Sequence, residues 1–330
     1  MRRTLLAVVA LFLLGAAAAQ AATPELGVSD RLQDRRYIAS SERAYAIGFQ
    51  DGRFYANGWH ITGEMGGVWT PPLKLVDGVW FGVDDEWIGP ATQFRSGWGY
   101  TEMDLPPTAG LELSRTDFAP DGGRAVLFGL HVRNPGAAAR TVAVKVDAHS
   151  ELLEAYPWGF DGVVPNASAN RPDTAAFDGR ALVFRDQGTQ PKPEAHDWAA
   201  LVAASRDPVS GVTGDTHRGD QGDYVCSAPT DNEAPPSKCD DGPFGRGKGG
   251  QLRYELSVSA GGTRTLWVAV AGSDEGLAAA RTELAAALAD PEARLAAACA
   301  SRITSASPRA SPARNSPSAP SCRPASSAHA

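Results

Sequence analysis

The sequence predicts a large antiparallel β-sandwich, followed by C-terminal helices and a tail without regular structure. Three observations predict it. Apolar residues alternate with a period of two through much of the chain, turn-forming dipeptides punctuate the runs, and no helical segments alternate with the strands. Sequential strands without intervening helices point to a sandwich rather than a parallel α/β sheet.

The 330 residues open on an export signal. Arg2 and Arg3 form a positive n-region, Leu5 to Leu14 an apolar h-region, and Ala19-Gln20-Ala21 a small-residue cleavage site. The apolar run is short for a membrane span and no stop-transfer pattern follows. Residues 1–21 are therefore expected to be removed, placing the mature chain outside the cytoplasm. Residues 22–35 read as an N-terminal extension, and the β-domain as residues 36–272.

Between Trp59 and Tyr100 lies WHITGEMGGVWTPPLKLVDGVWFGVDDEWIGPATQFRSGWGY, which holds five of the eight tryptophans. Rings spaced by glycine can stack on sugars or fill a core. Asp77-Gly78, between LKLV and VWFGV, is a hairpin signal. Strand alternation in this stretch puts Trp69 and Trp80 mainly inside. Trp59, His60 and Glu64 are left as candidates for a surface that faces sugar or another domain, with Trp98 beside them.

The clearest strands follow. Val126, Phe128, Leu130 and Val132 alternate, as do Val142, Val144 and Val146, which marks half-buried strands. Asp121-Gly122 and Asn134-Pro135-Gly136 make the turns. Further strands are expected at Ala44–Phe49, Ala181–Arg185, Trp198–Ala203, Leu252–Val258 and Thr263–Ala269. Residues 206–250 form a long excursion rich in Gly, Asp and Pro.

After Ala271 the period changes. Ser273 is a candidate cap for a helix with Leu277, Ala280, Leu284 and Leu288 on one face. Asp290-Pro291 restarts it, Asp as N-cap and Pro at the first helical position. Residues 273–303 read as linker helices. From Thr304 the chain runs TSASPRASPARNSPSAPSCRPASSAHA, which cannot bury enough apolar surface to order itself. It reads either as a Ser/Pro-rich tail or as GC-rich codons translated out of frame.

Composition narrows the function. A net charge of -7 speaks against nucleic acid and offers no basic face to a membrane. Four cysteines in an exported chain invite disulfides. Cys226 and Cys239 bracket a short polar loop and are the expected pair, adding about 3 kcal/mol. Asp220, Asp223, Asp240 and Asp241 in the same excursion offer oxygen ligands for Ca²⁺, without the ordered spacing of an EF-hand. No other cofactor or metal is called for.

Two clusters carry potential chemistry. His60-Ile-Thr-Gly-Glu64 lacks the second His of a zincin. Asp147-Ala-His149-Ser150-Glu151 with Tyr156-Pro-Trp158-Gly lies at a strand end, where loops carry function. It does not read G-x-S-x-G, so Tyr156 and Trp158 are contact candidates rather than part of a serine hydrolase. Glycoside hydrolysis needs two facing carboxylates. Among Glu64, Asp77, Asp84, Asp85, Glu86, Glu102, Glu151 and Glu154 no spacing selects a pair. Arg218-Gly219-Asp220 matches an adhesion tripeptide by chance composition.

The run RRYIASSERAYAIGFQDGRFYANGWHITGEMGGVWTPPLKLVDGVWFGVD, with HSELLEAYPWG and GQLRYELSVSAGGTRTLWVAVAGS, resembles the N-terminal region of secreted bacterial glycogen-debranching or glucoamylase-like glycoside hydrolases. The resemblance spans about Asp30 to Ser301. It implies a β-supersandwich joined through linker helices to an (α/α)6 barrel that bears the acid and base, with an α-glucan as substrate. The chain departs from that pattern near Arg302, so no catalytic residue carries over and the expected partner is the missing barrel. Two alternatives stay open. One is a free-standing carbohydrate-binding protein with some of Trp59, Trp69, Trp80, Trp98 and Trp158 exposed in a coplanar row. The other is a complete hydrolase with its carboxylates in the β-domain.

Overall fold

The period-two segments fold into strands in a computed structural model that describes residues 25–54, 66–154, 160–161, 164–165, 172–188, 195–221 and 247–306. In chain order the strands begin with β1 (Leu26–Val28), β2 (Arg36–Ser40), β3 (Tyr45–Phe49), β4 (Gly67–Thr70), β5 (Leu73–Val83) and β6 (Glu86–Trp87). They continue with β7 (Gln93–Ser96), β8 (Thr101–Thr108), β9 (Leu111–Phe118), β10 (Ala125–Arg133), β11 (Arg140–Glu154), β12 (Phe160–Asp161) and β13 (Val164–Pro165). The remainder are β14 (Thr174–Phe177), β15 (Leu182–Gly188), β16 (His196–Ala204), β17 (Ser210–Gly214), β18 (Gly249–Val258) and β19 (Thr263–Ser273). Two helices close the described chain, α1 (Leu277–Leu288) and α2 (Pro291–Ala306). None is long and apolar enough to cross a membrane.

Two antiparallel sheets form the sandwich. One has nine strands in the order β1-β7-β8-β9-β10-β19-β16-β15-β14. The other has eight, β17-β18-β11-β5-β4-β3-β2, with β6 beside β5. Strands β12 and β13 make a separate ribbon. The main core lies between the large sheets, where Val144, Val146, Leu252 and Tyr254 from one meet Phe128, Leu130, Val268 and Val270 from the other. A buried polar tie crosses the same interior. Tyr37 Oη on β2 donates to Asp117 Oδ2 on β9 at 2.6 Å, and Arg115 grips that carboxylate at 2.9 and 2.8 Å.

The helices lie on the outer face of the nine-stranded sheet. Ala280, Leu284, Leu295, Ala298 and Cys299 cover Leu127, Leu201, Trp267 and Ala269 in a second core. Trp267 Nε1 donates to Glu292 Oε1 at 2.8 Å, and the Arg124 N–H to Glu283 Oε2 at 3.0 Å. Strand β10 is therefore buried on both faces over most of its length, where alternation alone predicts a half-buried strand. The N-cap of α1 is Gly276, at φ 96°, and not Ser273. Ser273 ends β19, and its Oγ accepts the Glu275 N–H at 3.0 Å. Asp290 caps α2 as its spacing predicts, accepting the Ala293 N–H at 3.0 Å.

Asp77-Gly78 is not a hairpin. Strand β5 runs straight through it, all eleven residues buried. Gly78 is needed because Phe54 packs on it: a Cβ there would come within 2.5 Å of the Phe54 side chain. Asp77 is held by charged groups brought from distant parts of the chain.

Candidate functional site

Those groups form the most concentrated chemistry among the described residues. Lys74 and Asp77 sit three apart on β5, and the Lys74 ammonium reaches Asp77 Oδ1 at 2.9 Å. It also bonds Glu151 on β11. From beyond β17, Arg218 donates to Asp77 Oδ2 at 3.2 Å. His149 Nδ1 stands 3.0 Å from both Asp77 Oδ2 and Arg218. A single ring nitrogen either donates to the first or accepts from the second. Two register shifts in β11, on either side of Ser150, let neighbouring residues of one strand serve this cluster.

The side chains of Lys74, Asp77 and Arg218 are fully buried, with His149 and Glu151 at 1% and 4% exposure. Lys74 and Arg218 thus face Asp77 and Glu151 inside the fold. Burial alone would push the Asp77 carboxyl up. The Lys74 charge, the His149 hydrogen bond and Arg218 outweigh it and hold the group well below the usual carboxylate range.

Asp173 lies alongside and behaves oppositely. Its Oδ2 accepts from Ser150 Oγ at 2.6 Å and from the Leu152 N–H at 3.1 Å, while its buried Oδ1 has no hydrogen-bond partner among the described residues. Burial raises its pKa well above the ordinary value, and the charges of Asp186 and Asp77 add to that. Asp186 in turn contacts His196 Nε2 at 3.1 Å, and the His196 ring stacks on Trp198.

On the outer side of β11, Asp147 stands opposite Trp80 in register. Asp147 Oδ1 accepts from Gln251 Nε2 at 2.8 Å and its Oδ2 from the Gly219 N–H at 3.0 Å. The turn Gly219–Gln221 thus covers this surface. Beside it a small cleft is lined by Asp51, Arg53, Trp80, Trp87, Ile88 and Asp220. Lys145 Nζ caps the Trp87 ring at 4.2 Å from its centre.

Of the residues singled out from sequence, Asp77, His149 and Glu151 come together. Trp69 and Trp80 are buried, as strand alternation predicts, and this removes two rings from the coplanar row. Trp98 is half-buried in the β7–β8 connection, whose Gly99 packs against α2 at Ala298. Trp59, His60, Glu64, Tyr156, Trp158, the Cys226–Cys239 pair and Asp223, Asp240 and Asp241 lie outside the described residues. Asp220 of the acidic excursion pairs with Arg53 at 3.3 Å. Among the described residues no three His, Cys, Asp or Glu side chains form a group able to hold a metal ion. Arg218 of the adhesion-like tripeptide is wholly interior. Asp84 and Asp85 occupy a turn at φ 45° and 69°, Asp84 paired with Arg140 and Asp85 with Arg253. Glu102 is buried against Arg95.

Sequence reasoning missed Lys74, Arg218 and Asp173. One signal was available. Lys74 and Asp77 are opposite charges three apart within an otherwise apolar run from Leu73 to Val83.

No protein-family model matches the chain, and no curated protein sequence matches it. Among solved structures it is similar to a protein assigned as a kojibiose phosphorylase from the human microbiome. That pair shares 10% identity at a TM-score of 0.45, over 79% of this chain and 34% of the other. The chain thus spans about a third of that protein's length. It is also similar to a protein assigned as an aldose 1-epimerase from Escherichia coli K12, at 9% identity and TM-score 0.36, over 72% of this chain and 98% of that one. A polysaccharide lyase gives 11% identity and TM-score 0.32, over 76% and 34% of the two chains. Each TM-score falls below 0.5, so no family follows from them.

Proposed function

We propose that this chain is the exported β-sandwich module of a glycoside hydrolase acting on α-glucans, of the glycogen-debranching or glucoamylase-like kind. Its role is structural: it docks and positions a catalytic barrel, and by itself it does not cleave substrate. The observation that carries this reading is the sequence resemblance over Asp30 to Ser301. The fold that resemblance implies, a large β-sandwich followed by helices, is the fold of the chain. A non-catalytic role is supported by the burial of the acid–base cluster among the described residues. Asp77, His149 and Glu151 are shut in the interior and engaged by Lys74 and Arg218, so water and a glycosidic oxygen do not reach them.

The test is an activity assay on the purified chain with glycogen and maltooligosaccharides. No increase in reducing ends is expected. Cleavage by this chain, abolished by Glu151→Gln, would overturn the reading. Sequencing the gene beyond codon 302 gives a second test, with an open frame for a helix-rich domain as the expected result.

A further inference from the structure

The cleft beside Trp80 and the turn that follows Arg218 meet at Asp220, which belongs to both. With the turn in place the cleft admits little beyond water. The turn is seated closely. Gly219, at φ 62°, lies against Cβ, Cγ and Cδ1 of Trp80, where an added Cβ would approach to 2.5 Å. Its N–H occupies one oxygen of Asp147, and Gln251 occupies the other. The middle of the turn is held by Asp220 on Arg53 at 3.3 Å, side chains that are 33% and 28% exposed. The near end is fixed by Arg218, buried on Asp77. Among the described residues, the turn therefore has a buried post at Arg218 and a partly exposed ion pair, its latch, at Asp220.

We propose that the Gly219–Gln221 turn fills a saccharide subsite, and that lifting it joins the cleft to the Trp80–Asp147–Gln251 surface to make a groove for a neutral hexose residue. The chemistry under the turn is what recognises a sugar ring. Indole offers an apolar face, Asp147 accepts a hydroxyl in place of the Gly219 N–H, and Gln251 supplies an amide. The cleft's Asp51 and Asp220 are matched by Arg53 and Arg115, so its lining suits a neutral ligand. The closed turn lowers the apparent affinity by the fraction of time it is open. The choice of an α-glucan as ligand rests on the function proposed above; the groove does not.

The test is calorimetry of the full chain with maltohexaose, on the wild type and on variants of the turn. Gly219→Ala places a methyl against Trp80, and Asp220→Ala removes the latch. Each is expected to tighten binding about tenfold. Adding Asp147→Ala to either should abolish the gain, because the lifted turn no longer uses that carboxylate and the sugar does. Hydrogen exchange at Gly219 should quicken when maltohexaose is added to the wild type. If Gly219→Ala fails to fold, Asp220→Ala, at a partly exposed position, carries the test. Variants that keep the wild-type circular dichroism but bind no tighter overturn the proposal, as does a gain that survives Asp147→Ala. Cellohexaose and xylohexaose separate the two claims. Latch-dependent binding of either, without maltohexaose binding, keeps the groove and overturns the α-glucan reading. Maltohexaose binding indifferent to all three substitutions overturns the groove alone.

Discussion

Arg218 donates to Asp77 across 141 residues of sequence, between two side chains with no solvent exposure. The contact pins the segment after β17 onto the middle of β5. Removing one member of a buried pair strands its partner, which costs far more than an exposed pair contributes. Asp77→Asn is expected to lower the free energy of unfolding by about 3–5 kcal/mol in urea titration. Asp207→Ala, which breaks the solvent-exposed pair with Arg180, should change it by less than about 1 kcal/mol. Equal effects would show that the interior cluster is not a structural pin.

His131 contributes to the acid side of the stability profile. Its ring nitrogens contact Thr116 Oγ1 at 3.0 Å and Thr265 Oγ1 at 2.9 Å, and burial pushes its pKa down from 6.5 to about 4. The unfolded chain binds the proton first as pH falls. Stability from the neutral ring is complete above pH 6.5 and is lost as pH falls towards 4, by on the order of 3 kcal/mol. His131→Gln should flatten thermal midpoints in that window. Asp77 acts lower: its folded pKa is depressed, so its contribution is present above the ordinary carboxylate pKa of about 4 and lost below it.

Gly129 on β10 faces Trp267 on β19 in register, and a Cβ at Gly129 would lie 2.5 Å from the indole. Gly129→Ala is expected to cost about 1–3 kcal/mol through overpacking. Chemical denaturation would measure it, and a neutral result would mean that the ring moves aside freely.

The helices are part of the fold. Leu295, 2% exposed, packs on the outer face of the sheet, and Leu295→Ala should cost about 2–4 kcal/mol. A chain ending after Gly276 should bind a hydrophobic dye and aggregate, since Leu127, Leu201 and Trp267 lose their cover. A soluble monomer with no dye binding would contradict this.

Most strands were legible because their contacts are periodic in sequence. β3, β10, β15, β16, β18 and β19 fall where alternation places them. The Asp290 cap was legible for the same reason, as its partner is three residues away. Asp77-Gly78 was misread because the dipeptide is a strong local turn signal. What overrides it is Phe54, Lys74 and Arg218, two of them far along the chain. The site divides the same way. Asp147, His149 and Glu151 stand out as a cluster in the sequence. Arg218 and Asp173 do not, since a lone arginine in a polar excursion gives no sign of pointing inwards.

Strand β19 is last in the chain order of the sheets, yet it stands in the middle of the nine-stranded sheet, between β10 and β16. During synthesis the halves β7–β10 and β14–β16 therefore wait for it. A nascent chain stopped before residue 263 carries two long open edges at once, each lined with Val, Leu and Ala, and each a template for pairing with another chain. Completion of the sandwich is a late and central event, and truncations upstream of β19 convert a sealed fold into one that recruits its neighbours.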